Sequence, residues 1–269
     1  MPVLPKADVS VLGSFVSPRA TRQMDHFTRM GLCAAHGALT DAGLQPEHMR
    51  DAGLVLATGY GPASPTFTFL DSIEEYGARM ASPLSFSHSL HNIPAASIAM
   101  KLGMEGPCAS FCQVESSVAS GLLAALSWLM EGRVSRVLFG AVDELTPLLI
   151  HVTEQIVSGK EKSGESGRRD LPLGEGAVFF CLSTGCAKRG TITDISLTSS
   201  FGAAKHRAAF QATLGQMAAY GNIPIAQAFD MLAALAAFEA GEQRDITCNS
   251  WSPAGAESMV LLAPPGGVR

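Results

Sequence analysis

Apolar strands that do not alternate with polar residues constrain the fold of this chain more than any other feature. The runs at 53–57, 134–142 and 176–183 hold few polar residues. A strand with one face in water alternates apolar and polar side chains, so these strands are expected to be covered on both faces. Segments of helical spacing separate strands along the chain. This alternation predicts an α/β fold with covered sheets.

Capping residues, turns and apolar spacing set the expected boundaries of the elements. Asp25 precedes a helical pattern that Gly43 follows, which predicts a helix over 25–41. Further helices are predicted at 66–80, 91–102, 116–130 and 225–240, and further strands at 9–16, 107–112, 191–197, 246–250 and 258–262. The helix at 116–130 is apolar on nearly every side, so we expect it to be buried all round.

Composition excludes several classes of protein. Lys and Arg total only 19 and the net charge is −5, so nucleic acid is not an expected partner. Pro5, Lys6 and Asp8 interrupt the N-terminal apolar run, and no window of about eighteen residues is free of polar breaks. Neither an export signal nor a membrane span is therefore predicted. The 6 cysteines form no C-x-x-C pair and lie in apolar runs, which favours buried thiols in a reducing cytoplasm.

Several stretches of the sequence resemble, in order, segments of the β-ketoacyl synthases. They are the helix at 24–44, the turn Thr-Gly-Tyr-Gly-Pro at 58–62, the Ser-Pro segment at 82–107, the Gly-Glu-Gly-Ala strand entry within 171–180 and the closing Asn-Ser segment at 248–262. These matches span nearly the whole chain in the order in which the family has them.

The resemblance implies a thiolase-like fold, in which two similar halves, each with a five-stranded sheet, stack in α-β-α-β-α layers. It places the N-terminal half at 1–190 and an abbreviated C-terminal half at 191–269, packed as one globular unit. A composition with only 7% aromatic residues suits such a fold, because helices and sheets must approach closely.

The resemblance also identifies the position of the family's nucleophile, a cysteine between a buried strand and the next helix. Helix N–H groups lower the thiol pKa and stabilise an oxyanion there. Counting from Pro107, this position in the present chain is Glu115, in an elbow that includes Gln113 and Ser116. Glu115 is interpreted as an anion that caps the helix or, alternatively, as a general base. A glutamate cannot carry an acyl thioester.

The family's catalytic histidines have no recognisable counterpart. After Gly190 the chain contains one histidine, His206, and it lacks the flanking Gly and Thr residues of the family motifs. We therefore expect no catalytic residues. His88 and His91 are spaced like metal ligands but have no third partner at usable spacing, so we expect no metal site, and no cofactor is implied.

A synthase fold without nucleophile or histidines is similar to the chain length factor, the inactive partner of a ketosynthase in type II polyketide, aryl polyene and fatty-acid-like systems. This resemblance implies a heterodimer with an active ketosynthase, joined through the strand at 106–112, and transient contact with acyl carrier protein. Side chains at the implied interface are expected to close the acyl cavity and limit product length. They are Tyr60, Phe67, Phe69, Leu84, Phe86, Phe111 and Cys112.

Other interpretations remain open. The aromatic residues also suit an ordinary core or a homodimer interface. The protein could instead be a malonyl-carrier-protein decarboxylase or an acyl thioesterase that uses Glu115 or Ser116. A third interpretation is a homodimeric scaffold module that binds carrier protein. Basic residues on the polar loop at 158–176 suit such docking, but acidic residues on the same loop offset them.

Overall fold

The fold consists of two β-sheets with helices between and around them. The structure is a computed structural model that describes residues 3–160, 172–185, 187–199, 220–252 and 255–266. Within these ranges the predicted α/β class is confirmed. None of the helices in the described ranges is both long enough and apolar enough to cross a membrane.

The first sheet contains the predicted buried strands. Its members are β1 (Gly53–Thr58), β2 (Cys108–Cys112), β3 (Arg136–Asp143) and β4 (Gly176–Ser183), in the order β2-β1-β3-β4. Strand β1 runs parallel to β2 and β3, whereas β4 is antiparallel to β3. Strand β2 therefore forms one edge of this sheet.

The second sheet is antiparallel and forms from the C-terminal part of the chain. Its strands are β5 (Thr191–Ser199), β6 (Ile246–Trp251) and β7 (Ala256–Ala263), in the order β5-β7-β6. The strand predictions in this region are confirmed, with boundaries shifted by one or two residues. The described residues form sheets of 4 and 3 strands, where the family resemblance implies five in each.

The helices occupy the outer face of the first sheet, the space between the sheets and the periphery. In chain order they are α1 (Pro18–Thr21), α2 (His26–Ala42), α3 (Ala63–Tyr76), α4 (Pro83–His88), α5 (Ile93–Leu102), α6 (Ser117–Met130), α7 (Pro147–Lys160) and α8 (Ala226–Glu239). Helix α2 begins as predicted, because the Asp25 carboxylate accepts the N–H of Thr28 at 2.7 Å, and it ends at Gly43 with φ 67°.

Strand β1 shows why the apolar runs do not alternate. Leu54 and Leu56 pack on one side with α2 and α5, whereas Val55 and Ala57 pack on the other side with α6, α8 and the second sheet. Both faces are thus covered by helices. Small residues allow close approach: a Cβ on Gly121 of α6 would lie 3.0 Å from the Phe139 ring.

Two expectations about secondary structure and burial are wrong. The run at 9–16 contains a 3₁₀ helix, Ser10–Ser14, in place of a strand, because Val9, Leu12 and Val16 pack against the core that includes α2 at helical spacing. Helix α6 is not buried all round, since Leu123, Leu126 and Met130 are 37%, 36% and 75% exposed. These three residues recur along one face of α6, which the described parts of the chain leave uncovered.

The cysteines are only partly buried, contrary to expectation. Cys248 is buried, whereas Cys108 and Cys112 are exposed on β2. They are exposed because β2 is an edge strand, and the chain offers no further strand to cover it in the described part.

Candidate functional site

A buried carboxylate at the end of β3 holds the turn that follows β1. Asp143 is 1% exposed. Its Oδ1 accepts the Thr58 hydroxyl at 2.7 Å and the Tyr60 N–H at 3.0 Å, and the Gly59 N–H donates to both carboxylate oxygens. The Thr58 hydroxyl oxygen in turn accepts the Gly61 N–H at 2.8 Å. The Thr-Gly-Tyr-Gly turn recognised in the sequence is therefore wrapped around one acid.

The next residue, Glu144, holds the beginning of α3. Its Oε1 accepts the N–H of Ser64 at 2.7 Å, and the side chain is almost fully buried. A third acid, Glu175, from the Gly-Glu-Gly-Ala segment, lies nearby. Glu175 bonds His26 Nε2 at 2.7 Å and accepts the Leu145 N–H at 3.0 Å. The end of β3 is thus hydrogen-bonded to the region between β1 and α3 through the Asp143 and Glu144 side chains, and to Glu175 through the Leu145 N–H.

Burial shifts the acidity of the two β3 carboxyls. Desolvation raises the pKa of Asp143 to about 6, although its hydrogen bonds act in the opposite direction. Desolvation likewise raises the pKa of Glu144 to about 7. For Glu175, desolvation raises the pKa, but hydrogen bonds led by that from His26 outweigh it, and the pKa is lowered.

Thermal stability is expected to fall as pH rises through the range in which Glu144 titrates. The folded chain binds this proton more tightly than the unfolded chain, so the free energy of unfolding decreases between about pH 4.5 and 7. The full decrease from Glu144 is about 3 kcal/mol, since one pKa unit corresponds to about 1.4 kcal/mol. Glu144→Gln keeps an oxygen for Ser64 and does not titrate, so its Tm should vary less with pH. Circular dichroism melts from pH 4.5 to 8 measure this difference, and parallel Tm profiles for both proteins would contradict it.

The turn between β2 and α6 is a strained elbow. Val114 has φ 50° and is the one non-glycine residue with positive φ in the described ranges. For a β-branched residue this conformation costs about 1–3 kcal/mol. The buried Ser117 hydroxyl accepts the Gln113 N–H at 2.7 Å and lies 2.8 Å from the Val114 carbonyl oxygen. One side chain therefore bridges the strained residue from both sides.

Ser117 was not among the predicted elbow residues, although it directly follows them. Glu115 and Ser116 are partly buried in a short 3₁₀ helix, Val114–Ser116, and Ser116 is the N-cap of α6 without a side-chain capping bond. The Gln113 side chain is exposed and accepts the Ser120 hydroxyl at 2.5 Å. Two serines in succession at a strand–helix junction were the available signal for Ser117, but the sequence does not show which of them points inward.

The elbow and the β1–α3 turn form one continuous site. The Ser117 hydroxyl lies 2.7 Å from the Thr58 carbonyl oxygen, and the Cys112 thiol donates to the Gly59 carbonyl oxygen at 3.5 Å. We call residues 58–61 together with 112–117 the elbow site. Asp143 holds the β1–α3 turn of this site through hydrogen bonds, and sequence reasoning missed this residue too, although an acid that closes a largely apolar strand was a visible signal.

The structure brings most of the predicted interface side chains to α3 and α4. The rings of Phe69 and Phe86 lie 5.2 Å apart. Tyr60, Leu84 and Phe86 are each about half exposed, at 44%, 54% and 50%, and Phe67 is partly buried. We call α3 and α4 with the connecting residues the α3–α4 hairpin.

Phe111 lies apart from this group. It packs against the core between the sheets, where a Cβ on Gly121 would be 3.7 Å from its ring. On the β2 strand, Phe111 therefore faces α6, while Cys112 reaches the elbow site. The two were predicted together as interface residues, and the structure gives them different surroundings.

The histidines considered as metal ligands have other contacts. His88 Nδ1 lies 3.5 Å from an Asp25 oxygen, and the His91 ring covers Gly61 so closely that a Cβ there would be 2.5 Å away. In the described portion of the chain, His, Cys, Asp and Glu form no group of 3 or more that could hold a metal ion. His206 lies outside the described residues.

Comparison with known protein families identifies the family of this chain. The profile of the β-ketoacyl synthase N-terminal domain matches residues 12–183, which is more than half of the chain and includes the elbow site. This chain belongs to the β-ketoacyl synthase family. A comparison with curated protein sequences finds no significant match.

Solved structures of similar fold confirm the thiolase-like architecture. The chain matches the ishigamide ketosynthase/chain length factor with a TM-score of 0.74 and 19% identity, over 98% of this chain and 87% of that one. It matches a ketosynthase (ApeO) in complex with its chain length factor (ApeC) from Xenorhabdus doucetiae with a TM-score of 0.58 and 16% identity, over 91% and 81%.

A third match is the AntDE:AntF complex, a type II polyketide synthase acyl-carrier protein with its ketosynthase bound to the hexaketide. Its TM-score is 0.77 at 13% identity, over 97% of this chain and 89% of that one. At these identities the likeness establishes the fold alone.

Proposed function

We propose that this protein is a non-catalytic subunit of the chain length factor type, which pairs with an active ketosynthase and shapes its acyl cavity in type II polyketide, aryl polyene or fatty-acid-like biosynthesis. The observation that carries the proposal is Glu115 in the strained elbow. Glu115 lies in the turn directly before α6, where counting along the chain places the nucleophile of the family, and a carboxylate there cannot hold an acyl thioester.

The missing histidines point in the same direction. Acyl transfer in this family needs acid–base groups beside the nucleophile, and 191–269 contains only His206, outside a family-like motif. A chain that keeps the fold and the elbow but lacks both kinds of catalyst is suited to assist another subunit. The structural neighbours support this proposal, since two of them are a ketosynthase/chain length factor and a ketosynthase in complex with its chain length factor.

The free edge of the first sheet suits a strand from the partner. The Leu54 N–H donates to the Pro107 carbonyl at 2.9 Å, and main-chain groups alternate in direction along a strand. The N–H and C=O groups of Cys108, Ser110 and Cys112 therefore point away from β1. A partner strand that pairs with them would cover an otherwise exposed edge.

The uncovered face of α6 strengthens the case for a partner. Helix α6 packs against β2 as well as β1, and its exposed Leu123, Leu126 and Met130 make an apolar surface. A recurrent apolar stripe on a helix that borders a free sheet edge is typical of an interface. In this arrangement acyl carrier protein visits the complex only transiently.

Co-expression with active ketosynthases from the same organism tests the proposal. We expect a stable 1:1 complex with one of them that condenses acyl units, whereas the isolated chain does not. Failure to copurify with any ketosynthase of that organism would overturn the proposal. So would turnover of malonyl-carrier protein by the isolated chain that disappears in Glu115→Gln, because the protein would then be an enzyme itself.

Shortening an aromatic side chain of the turn after β1 or of α3 is expected to lengthen the product. Phe67→Ala or Tyr60→Ala removes a ring where the growing chain would end, and the freed space accepts further two-carbon units. Tyr76→Ala on the same helix is the control, because Tyr76 is 61% exposed at the far end of α3. Mass spectrometry of products from the complex measures the shift. An unchanged distribution in Phe67→Ala and Tyr60→Ala would show that these residues do not close the cavity.

A further inference from the structure

Few residues of the α3–α4 hairpin are buried. In α3 the buried residues are Ala63 and Pro65, both in its first turn, and α4 has none. The remainder of α3 packs chiefly against α4, through contacts that include Phe69 and Phe86. On the side of α3, the position of the hairpin relative to the first sheet therefore depends on what holds its first turn, and α4 adds contacts such as that of His88 with Asp25.

Two consecutive acids of one strand end provide that hold. Asp143 takes the N–H groups of Gly59 and Tyr60 in the turn, and Glu144 takes the N–H of Ser64 in the first turn of α3. Both carboxyls are buried, and both belong to β3 or directly follow it in the centre of the first sheet. These hydrogen bonds link the end of β3 directly to the turn after β1 and to the first turn of α3.

We propose that Asp143 and Glu144 are positioning residues that set the placement of the α3–α4 hairpin, and through it the end of the acyl cavity. This inference rests on the proposed function, in which Tyr60, Phe67 and Phe86 line that cavity. Neither acid touches the acyl chain. They act through the main chain of residues 59–64, so that the hairpin presents its apolar side chains at a constant depth.

The two acids differ in what an amide replacement preserves. Glu144 accepts one N–H through Oε1, so Glu144→Gln retains the acceptor, whereas Glu144→Ala removes it. Asp143 accepts donors on both oxygens, with Gly59 N 2.9 Å from Oδ2. In Asp143→Asn an NH₂ group would face a second N–H donor, so this amide cannot restore the turn.

Hydrogen exchange of the isolated chain tests the positioning role without a partner. In Glu144→Ala we expect amide protons at 60–70 to exchange about tenfold faster, with the strands of the first sheet unchanged. Glu144→Gln should remain within about twofold of wild type, and Asp143→Asn should accelerate exchange in the turn. Glu74→Ala, an exposed substitution on α3, is the matched control.

Other results would overturn the inference. Unchanged exchange at 60–70 in Glu144→Ala means that the acid does not hold α3. Equal acceleration in Glu144→Gln means that charge acts, through neighbours such as Asp25, His26 and Glu175, in place of the acceptor. Uniform acceleration in every strand means a loss of global stability only.

Products of the complex with ketosynthase complete the test. Glu144→Ala should broaden the product distribution toward longer chains, and Glu144→Gln should restore the wild-type distribution. An unchanged distribution in Glu144→Ala, with faster exchange at 60–70, would overturn the link to the cavity. If the wild-type chain forms no complex at all, the proposed function fails, while the exchange experiment still decides whether the acids position the hairpin.

Discussion

Replacing Ser110 with proline is expected to abolish assembly with the ketosynthase. The Ser110 N–H points away from β1, so proline removes a donor to the partner strand and sacrifices no hydrogen bond within this chain. The proline ring also blocks close approach of another strand to this edge. We expect affinity to fall by at least about 100-fold, which corresponds to about 2.8 kcal/mol. Copurification and analytical size exclusion measure it.

Ser110→Ala is the matched control for this experiment. It retains the N–H and removes a hydroxyl that is buried without a hydrogen-bond partner in the described structure, so assembly should be preserved. The Tm of Ser110→Pro alone should stay near that of wild type, because the β1–β2 pairing is intact. A Ser110→Pro chain that still copurifies would show that the partner does not use the β2 edge.

Replacing Ser117 with alanine is expected to destabilise the protein by about 2–4 kcal/mol. The substitution leaves the Gln113 N–H without its acceptor and removes the single hydroxyl proton that the Thr58 and Val114 carbonyl oxygens share, all close to a residue with strained backbone. Because the same hydroxyl joins the elbow to the β1–α3 turn, both segments should loosen together. Urea denaturation measures the free energy of unfolding.

The neighbouring serine provides the comparison. Ser116 is partly buried and makes no side-chain capping bond, so Ser116→Ala should change the free energy of unfolding by less than about 0.5 kcal/mol. Equal losses in the two variants would show that the elbow does not depend on Ser117.

Local patterns predicted most of the secondary structure. The helix from His26 to Ala42 could be predicted because its cap, its apolar spacing and its terminal glycine are all local. The apolar runs of β1 and β4 were likewise sufficient to predict these two strands. The strand prediction at 9–16 was wrong, because so short an apolar segment has no period that separates a strand from a helical turn. Contacts with the core around α2 decided which of the two forms.

The candidate site was predictable in part. Counting along the chain gave Glu115, which lies in the turn between β2 and α6. Phe69 and Phe86, both predicted at the interface, lie against each other, and their role in closing the cavity stays a prediction. Phe111 could not be separated from them, because its direction depends on the pairing of β2 with β1 and on α6. The exposed face of α6 was hidden for the same reason: composition shows that a helix is apolar, but not how much of it one chain covers.

By itself the sequence determined the α/β class and the family, because both depend on residue types at short or countable spacing. Only the tertiary structure decided which residues hold the site. The Thr58–Asp143 hydrogen bond joins positions 85 residues apart, and that between Ser117 and Thr58 joins positions 59 apart. Such partners are chosen by the packing of strand ends against one another, and no periodicity along the chain records that choice.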